Sequence, residues 1–133
     1  MHMIKRSSNG FTVIELAFVI TVMIFASIFF FLQKQNIEVA ANDKQKKTAI
    51  NAMYYSLEEV FYSTNKYYPQ SISSDNLKSM DPALFTDPDG KAINTSGSAY
   101  SYKPVNCVDD KCKGYTLTTT LSNEADYVKT NKN

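Results

Sequence analysis

From Leu16 to Leu32 no side chain carries a charge, and such a run, once helical, is long enough to span the hydrocarbon core of a bilayer. It opens beside an acid, in Gly10-Phe11-Thr12-Val13-Ile14-Glu15-Leu16. A charged side chain at mid-bilayer costs roughly 2.5 to 3.5 kcal/mol, so lipid gives no reason for Glu15, and the residue asks for a function and a partner. Two plainer readings stand beside this one. In the first, Glu15 reaches the headgroups as an interfacial residue of a signal anchor. In the second, the segment is a secretory signal cut after Val39-Ala40-Ala41. Against the second stand the acid and a run longer than the roughly 7 to 15 residues of a usual signal core.

Beyond Leu32 roughly a hundred residues remain, enough for one small domain and not two. No glycine or proline occurs between Phe11 and Tyr68. Past Asn42 the apolar residues Ile50, Met53, Leu57, Val60 and Phe61 recur at threes and fours, which lines one face of a helix. The pattern predicts one helix from Phe11 to about Asn65, roughly 80 Å long at 1.5 Å per residue, with Pro69 marking its end. Its first half is apolar all round. Its second half, from about residue 33, is amphipathic and must bury a stripe. The partner is the rest of the chain, which reads as turns and short strands. Asp81-Pro82 and Asp87-Pro88-Asp89-Gly90 signal turns, and Asn94 to Ser98 a polar loop. Tyr100-Ser101-Tyr102 and the segment Tyr115 to Leu121 are rich in strand formers. In the latter, Tyr115 and Leu117 share a face, extending to Leu121 if the strand continues, with Thr116, Thr118 and Thr120 opposite. A third strand is expected around Tyr127 and Val128. The fold class is therefore α+β, a long N-terminal helix on a small antiparallel sheet of two to four strands.

The N-terminal third resembles the class III signal of type IV pilins and type II secretion pseudopilins: a short polar leader ending in Gly10, then Phe-Thr-Val-Ile-Glu-Leu. The resemblance implies that prepilin peptidase cuts between Gly10 and Phe11 and methylates the new amine of Phe11, so that residues 1–10 are absent from the working protein. Residues 11–32 would then serve first as a membrane anchor and later as filament core. Residues 33–133 would form the globular domain, giving the lollipop outline common in that family. Glu15 would pair with the Phe11 amine of a neighbouring subunit. Such a buried ion pair fixes register more than it adds cohesion, because desolvation cancels much of the attraction while a lone buried charge is far worse. The implied partners are further copies of the chain, the peptidase, an assembly platform and, before assembly, the lipid bilayer. The implied place is the cytoplasmic membrane and then an extracellular filament for attachment, twitching motility or DNA uptake. A secretion pseudopilin is the nearest alternative. A secreted or anchored domain that never polymerises is the next.

The later half matches that family less specifically, through Tyr-Tyr-Pro after the helix, an Asp-Pro-x-Gly turn, a Tyr-x-Tyr strand and a Thr-rich strand. Two departures stand out. No proline interrupts the apolar half near Leu32, and the two cysteines lie only five positions apart.

Cys107 and Cys112 lie in a polar segment with no histidine near, so a zinc site is incomplete. A disulfide closing a short loop suits an oxidising compartment, and two free thiols in a reducing one are the alternative. Val108-Asp109-Asp110-Lys111 would be the exposed tip of that loop. Asp87 and Asp89 are weak calcium candidates, since calcium takes six or more oxygens and the sequence nominates two side chains; a plain turn is the commoner use. The nine tyrosines suit packing better than base stacking. Lys44, Lys46 and Lys47, with Glu38 and Asp43 nearby, read as a solvated or intersubunit face rather than a lipid or DNA patch.

The formal net charge is +1, and loss of a leader carrying Lys5 and Arg6 leaves it slightly negative, so overall charge does not indicate a nucleic-acid binder. Basic residues also flank both ends of the apolar run, so they do not set its orientation. The one histidine, His2, falls in the expected leader, and no nucleophile has a recognisable base. Neither catalysis nor a cofactor is expected.

Overall fold

The computed structural model describes residues 10–133. Apart from Gly10, the expected leader, with His2, Lys5 and Arg6, lies outside the described residues. The chain divides into two units, one ending at Ile37 and one comprising Glu38–Asn133. Helix α1, Val13–Tyr55, contributes to both. In the first unit every described residue is exposed, and the helix is long and apolar enough to cross a membrane. That follows from a composition with no polar face to turn toward water and no partner within the unit to bury against.

In the second unit the helical segment continues through a π-helical stretch, Ser56–Tyr62, and a last α-helical turn α2, Ser63–Asn65. Lys66 closes it in the left-handed region at φ 63°, donating its N–H to the Tyr62 carbonyl at 2.9 Å. The helix therefore ends where the sequence predicts, but not with the predicted phase. Ile50, Met53 and Leu57 are fully buried, whereas Val60 is 49% exposed and Phe61 half-buried. Hydrogen bonds closed from i to i+5 take an extra residue into each turn. The stripe drifts, and Glu58 is turned inward beside Leu57 instead.

Four strands form one antiparallel sheet: β1 Tyr68–Pro69, β2 Tyr100–Val108, β3 Lys111–Thr119 and β4 Tyr127–Thr130. Strand β3 is central. Along one side it pairs with β2, from Tyr100↔Thr119 to Val108↔Lys111. Along the other it pairs with β1 at Tyr68↔Cys112 and with β4 from Thr116↔Thr130 to Thr119↔Tyr127. Pro69 stands in β1 and Pro104 within β2, the outer strand. Prolines are tolerated there because an outer strand has N–H groups with no ladder to join.

Leu121 lies past the end of β3, and Thr119, fully buried, takes the place in line with Tyr115 and Leu117. The core joins Ala49, Ile50, Met53 and Leu57 of the helix to Tyr68, Tyr100, Tyr102, Tyr115 and Leu117, with Ile72, Leu77 and Phe85 from the intervening loops. This is the expected α+β layout of a long helix on a small antiparallel sheet.

Cys107 and Cys112 are joined by a disulfide. The segment around them corrects the expected loop. Val108 and Lys111 are strand residues, and only Asp109 and Asp110 make the turn, both at positive φ (47° and 62°). Two successive left-handed residues match the twist of a two-residue hairpin, and aspartate tolerates that region better than most residues.

Candidate functional site

At the start of α1, Thr12 and Glu15 cap the helix reciprocally. The Glu15 N–H donates to Thr12 Oγ1 at 3.4 Å, and the Thr12 N–H donates to Glu15 Oε2 at 3.4 Å. The Thr12 hydroxyl stands 3.5 Å from the same carboxylate oxygen. Threonine at the cap with glutamate three residues on satisfies N–H groups that a helix start leaves open. It also sets a negative charge at the positive end of the helix dipole. Glu15 thus has a use within its own chain that the motif reading overlooked, although Thr-x-x-Glu is itself a legible signal. Gly10 and Phe11 precede the cap, both exposed, so the Gly10–Phe11 bond and the carboxylate lie within a few residues of one another on an open surface. Comparison with protein-family models, curated proteins and solved structures finds no match.

The Asp87 carboxylate is occupied by backbone: Oδ1 accepts from Asp89 N at 3.0 Å and Lys91 N at 2.8 Å, and Oδ2 accepts from Ala99 N at 2.8 Å. It stitches a turn to the start of β2, while Asp89 is exposed. Among the described residues no three His, Cys, Asp or Glu side chains gather as a metal-binding group. Of the helix lysines, Lys46 is buried beside Asp43 at 3.8 Å, and Lys47 donates to Glu124 Oε2 at 2.6 Å. Two of the three expected surface cations are therefore engaged within the fold. Asp43 also accepts from the N–H groups of Ser122 and Asn123, tying the chain after β3 to the helix.

Sequence reasoning missed Glu58. Its Oε1 accepts from Tyr115 OH at 2.8 Å, Tyr68 OH at 3.1 Å and Lys132 N at 3.2 Å. Its Oε2 accepts from Tyr68 OH at 3.1 Å and lies 3.5 Å from Asn133 Nδ2. The ring of Tyr68 meets those of Tyr62 and Tyr115, each at 4.8 Å between centroids. A buried carboxylate is tolerable only when its lone pairs are satisfied, and here two phenols and a backbone N–H do so.

The buried phenols give the fold a pH signature. Burial pushes Tyr68 and Tyr100 up to about 12. Burial also raises Tyr102 and, with help from the bond to Glu58, Tyr115. Above pH 10, the ordinary phenol value, the unfolded chain releases these protons while the folded chain keeps them. Stability is then lost as pH rises, by up to about 1.4 kcal/mol per pH unit for each such tyrosine. Asp43 is held below its ordinary 3.8 chiefly by the Ser122 N–H. Burial of Asp87 opposes ionisation, but the N–H groups of Ala99, Lys91 and Asp89 outweigh it and lower that carboxyl too. Their contribution is present above 3.8 and is lost as pH falls. The urea midpoint is expected to be nearly level from about pH 5 to about pH 9 and to drop beyond either limit. A midpoint unchanged at about pH 11 would contradict the burial of the phenols.

Proposed function

We propose that this chain is a structural subunit of the type IV pilin kind: a single-pass protein of the cytoplasmic membrane, cut after Gly10, methylated at Phe11 and polymerised into an extracellular filament. The observation that carries the reading is a conjunction. Gly10 and Phe11 stand directly ahead of, and Glu15 in the first turn of, a helix that buries nothing as far as Glu38, while among the described residues every buried side chain belongs to the second unit.

In lipid that helix gains little from meeting its own kind, because acyl chains are as apolar as leucine. Once drawn out of the bilayer, its alternatives are water or the helices of other copies. Removing apolar surface from water yields about 25 cal/mol per Å², so the other copies win. The contact is head-to-tail rather than self-complementary, and a head-to-tail contact that does not close on itself gives an open helical polymer. Hydrophobic burial has no direction of its own. Register comes from the Glu15 carboxylate, which in the polymer exchanges its place on Thr12 for the Phe11 amine of a neighbour. The filament would serve attachment, twitching motility or DNA uptake. A pseudopilin would share every one of these features and differ in forming only short assemblies.

Mass spectrometry of the protein from cells tests the reading. An N-terminal N-methylphenylalanine at position 11 is the expected result. A chain beginning at Asn42 would mean ordinary secretion without an anchor, and a chain that keeps residues 1–10 where the peptidase is active would remove the proposal. Electron microscopy of producing cells then separates long surface fibres from the short assemblies of a secretion pseudopilin.

A further inference from the structure

A groove of about 520 Å³ lies between the end of the helical segment and the β2–β3 hairpin, entirely within the second unit. Its walls are held from three directions. Tyr62 is stacked on Tyr68, Cys112 is fixed by its disulfide and by pairing with Tyr68, and Asn133 is drawn toward buried Glu58. Such a groove exists before any ligand arrives, so little ordering is needed on binding.

Its charge is one-sided. Lys66, Lys111 and Lys113 line it against a single acid, Asp109. The helix end adds roughly half a negative charge, and the side chains that line the groove remain net positive. The Lys111 ammonium stands 5.3 Å from the centre of the Tyr67 ring, so cation and aromatic surface are presented together.

We propose that this groove binds an acidic oligosaccharide. Uronate carboxylates meet the lysines, the C–H face of a sugar ring packs on Tyr62 and Tyr67, and sugar hydroxyls donate to Asp109 and bond the Asn106 amide. Asp109 decides between this class and single-stranded nucleic acid. A phosphate at every nucleotide would bring like charge against that carboxylate and supply few donors to it, whereas a uronate residue carries one charge and several hydroxyls. The lysines are point charges, not the planar forks that grip phosphate in pairs. The inference does not require polymerisation and goes beyond the filament reading, since every residue it uses is in one copy.

The test uses the full chain in detergent micelles at low salt, titrated with trigalacturonate by calorimetry. Binding with Kd below about 1 mM is expected, with shifts of the Tyr62 and Tyr67 ring resonances in the wild-type protein. The exposed pair Lys111→Ala/Lys113→Ala should weaken it at least about tenfold without lowering the thermal midpoint, and neutral maltotriose should not bind. Absence of heat and of ring shifts, or binding indifferent to the double substitution, overturns the proposal. Tighter binding of a thymidine decanucleotide through the same lysines also overturns it, in favour of nucleic acid.

Discussion

Glu58→Ala is expected to lower the free energy of unfolding by about 3 to 5 kcal/mol, read from urea denaturation of the full chain in micelles. Alanine removes the shared acceptor of two buried phenols and of the Lys132 N–H. Each buried donor left without an acceptor costs about 1 to 3 kcal/mol. The vacated volume adds a further penalty where the surroundings cannot collapse. Glu58→Gln should fall between, since one carbonyl remains but the amide group turns donors toward phenols. The informative comparison is Glu58→Leu made together with Tyr68→Phe and Tyr115→Phe. Removing both phenol donors with the acceptor leaves only the Lys132 N–H and the Asn133 amide, both on exposed residues open to water, so this triple variant should recover much of the loss. A Glu58→Ala variant within about 0.5 kcal/mol of wild type would show that the carboxylate does not organise the core.

Glu15→Ala is expected to leave cleavage and membrane insertion intact and to abolish fibres in cells that lack the wild-type subunit. In the proposed filament it would leave a buried ammonium without its counter-charge, a loss of about 3 to 5 kcal/mol. At about 1.4 kcal/mol per factor of ten, that is at least a hundredfold in each association step. The same substitution also breaks the reciprocal cap with Thr12, worth about 1 kcal/mol. Thr12→Ala separates the two effects, because it removes the cap and keeps the acid. Normal fibres from Thr12→Ala and none from Glu15→Ala would assign the effect to intersubunit pairing. Loss of fibres from both variants would assign the effect to the helix start, and normal fibres from Glu15→Ala would remove the pairing.

How much of this was open to sequence reasoning depended on whether a residue's neighbours were local. The apolar run, the stripe of Ile50, Met53 and Leu57, the Tyr-x-Tyr and Thr-rich strands and the final strand at Tyr127 all obey simple periods. The π-helical stretch does not: within it Glu58 turns inward to Tyr68, Tyr115 and Lys132, partners that lie up to 74 positions away. Strand β1 is two residues long and half proline, too short to carry any period. Around the cysteines the polar composition suggested a loop, whereas the disulfide and the pairing with β1 keep the strands extended up to Asp109 and Asp110.

Of the candidate site, Glu15 stood out in the sequence as an acid beside an apolar run, whereas Gly10 and Phe11 came from the resemblance of the leader to the class III signal. The lysine groove could not be found from the sequence, since Lys66 and Lys111 become neighbours only when β1 closes on β3. Asp87 was legible as a turn residue, and its full use by backbone N–H groups was not.

The prolines of the outer strands would have a consequence in the proposed filament, where copies are crowded together. Sheets fuse into amyloid-type stacks when an uncovered strand offers an unbroken row of donors and acceptors. Pro104 interrupts that row on one margin of this sheet and Pro69 on the other, where β4 is only four residues long and carries Lys129. Crowded copies would thereby be denied sheet-to-sheet zippering, leaving to the helices the self-association proposed above.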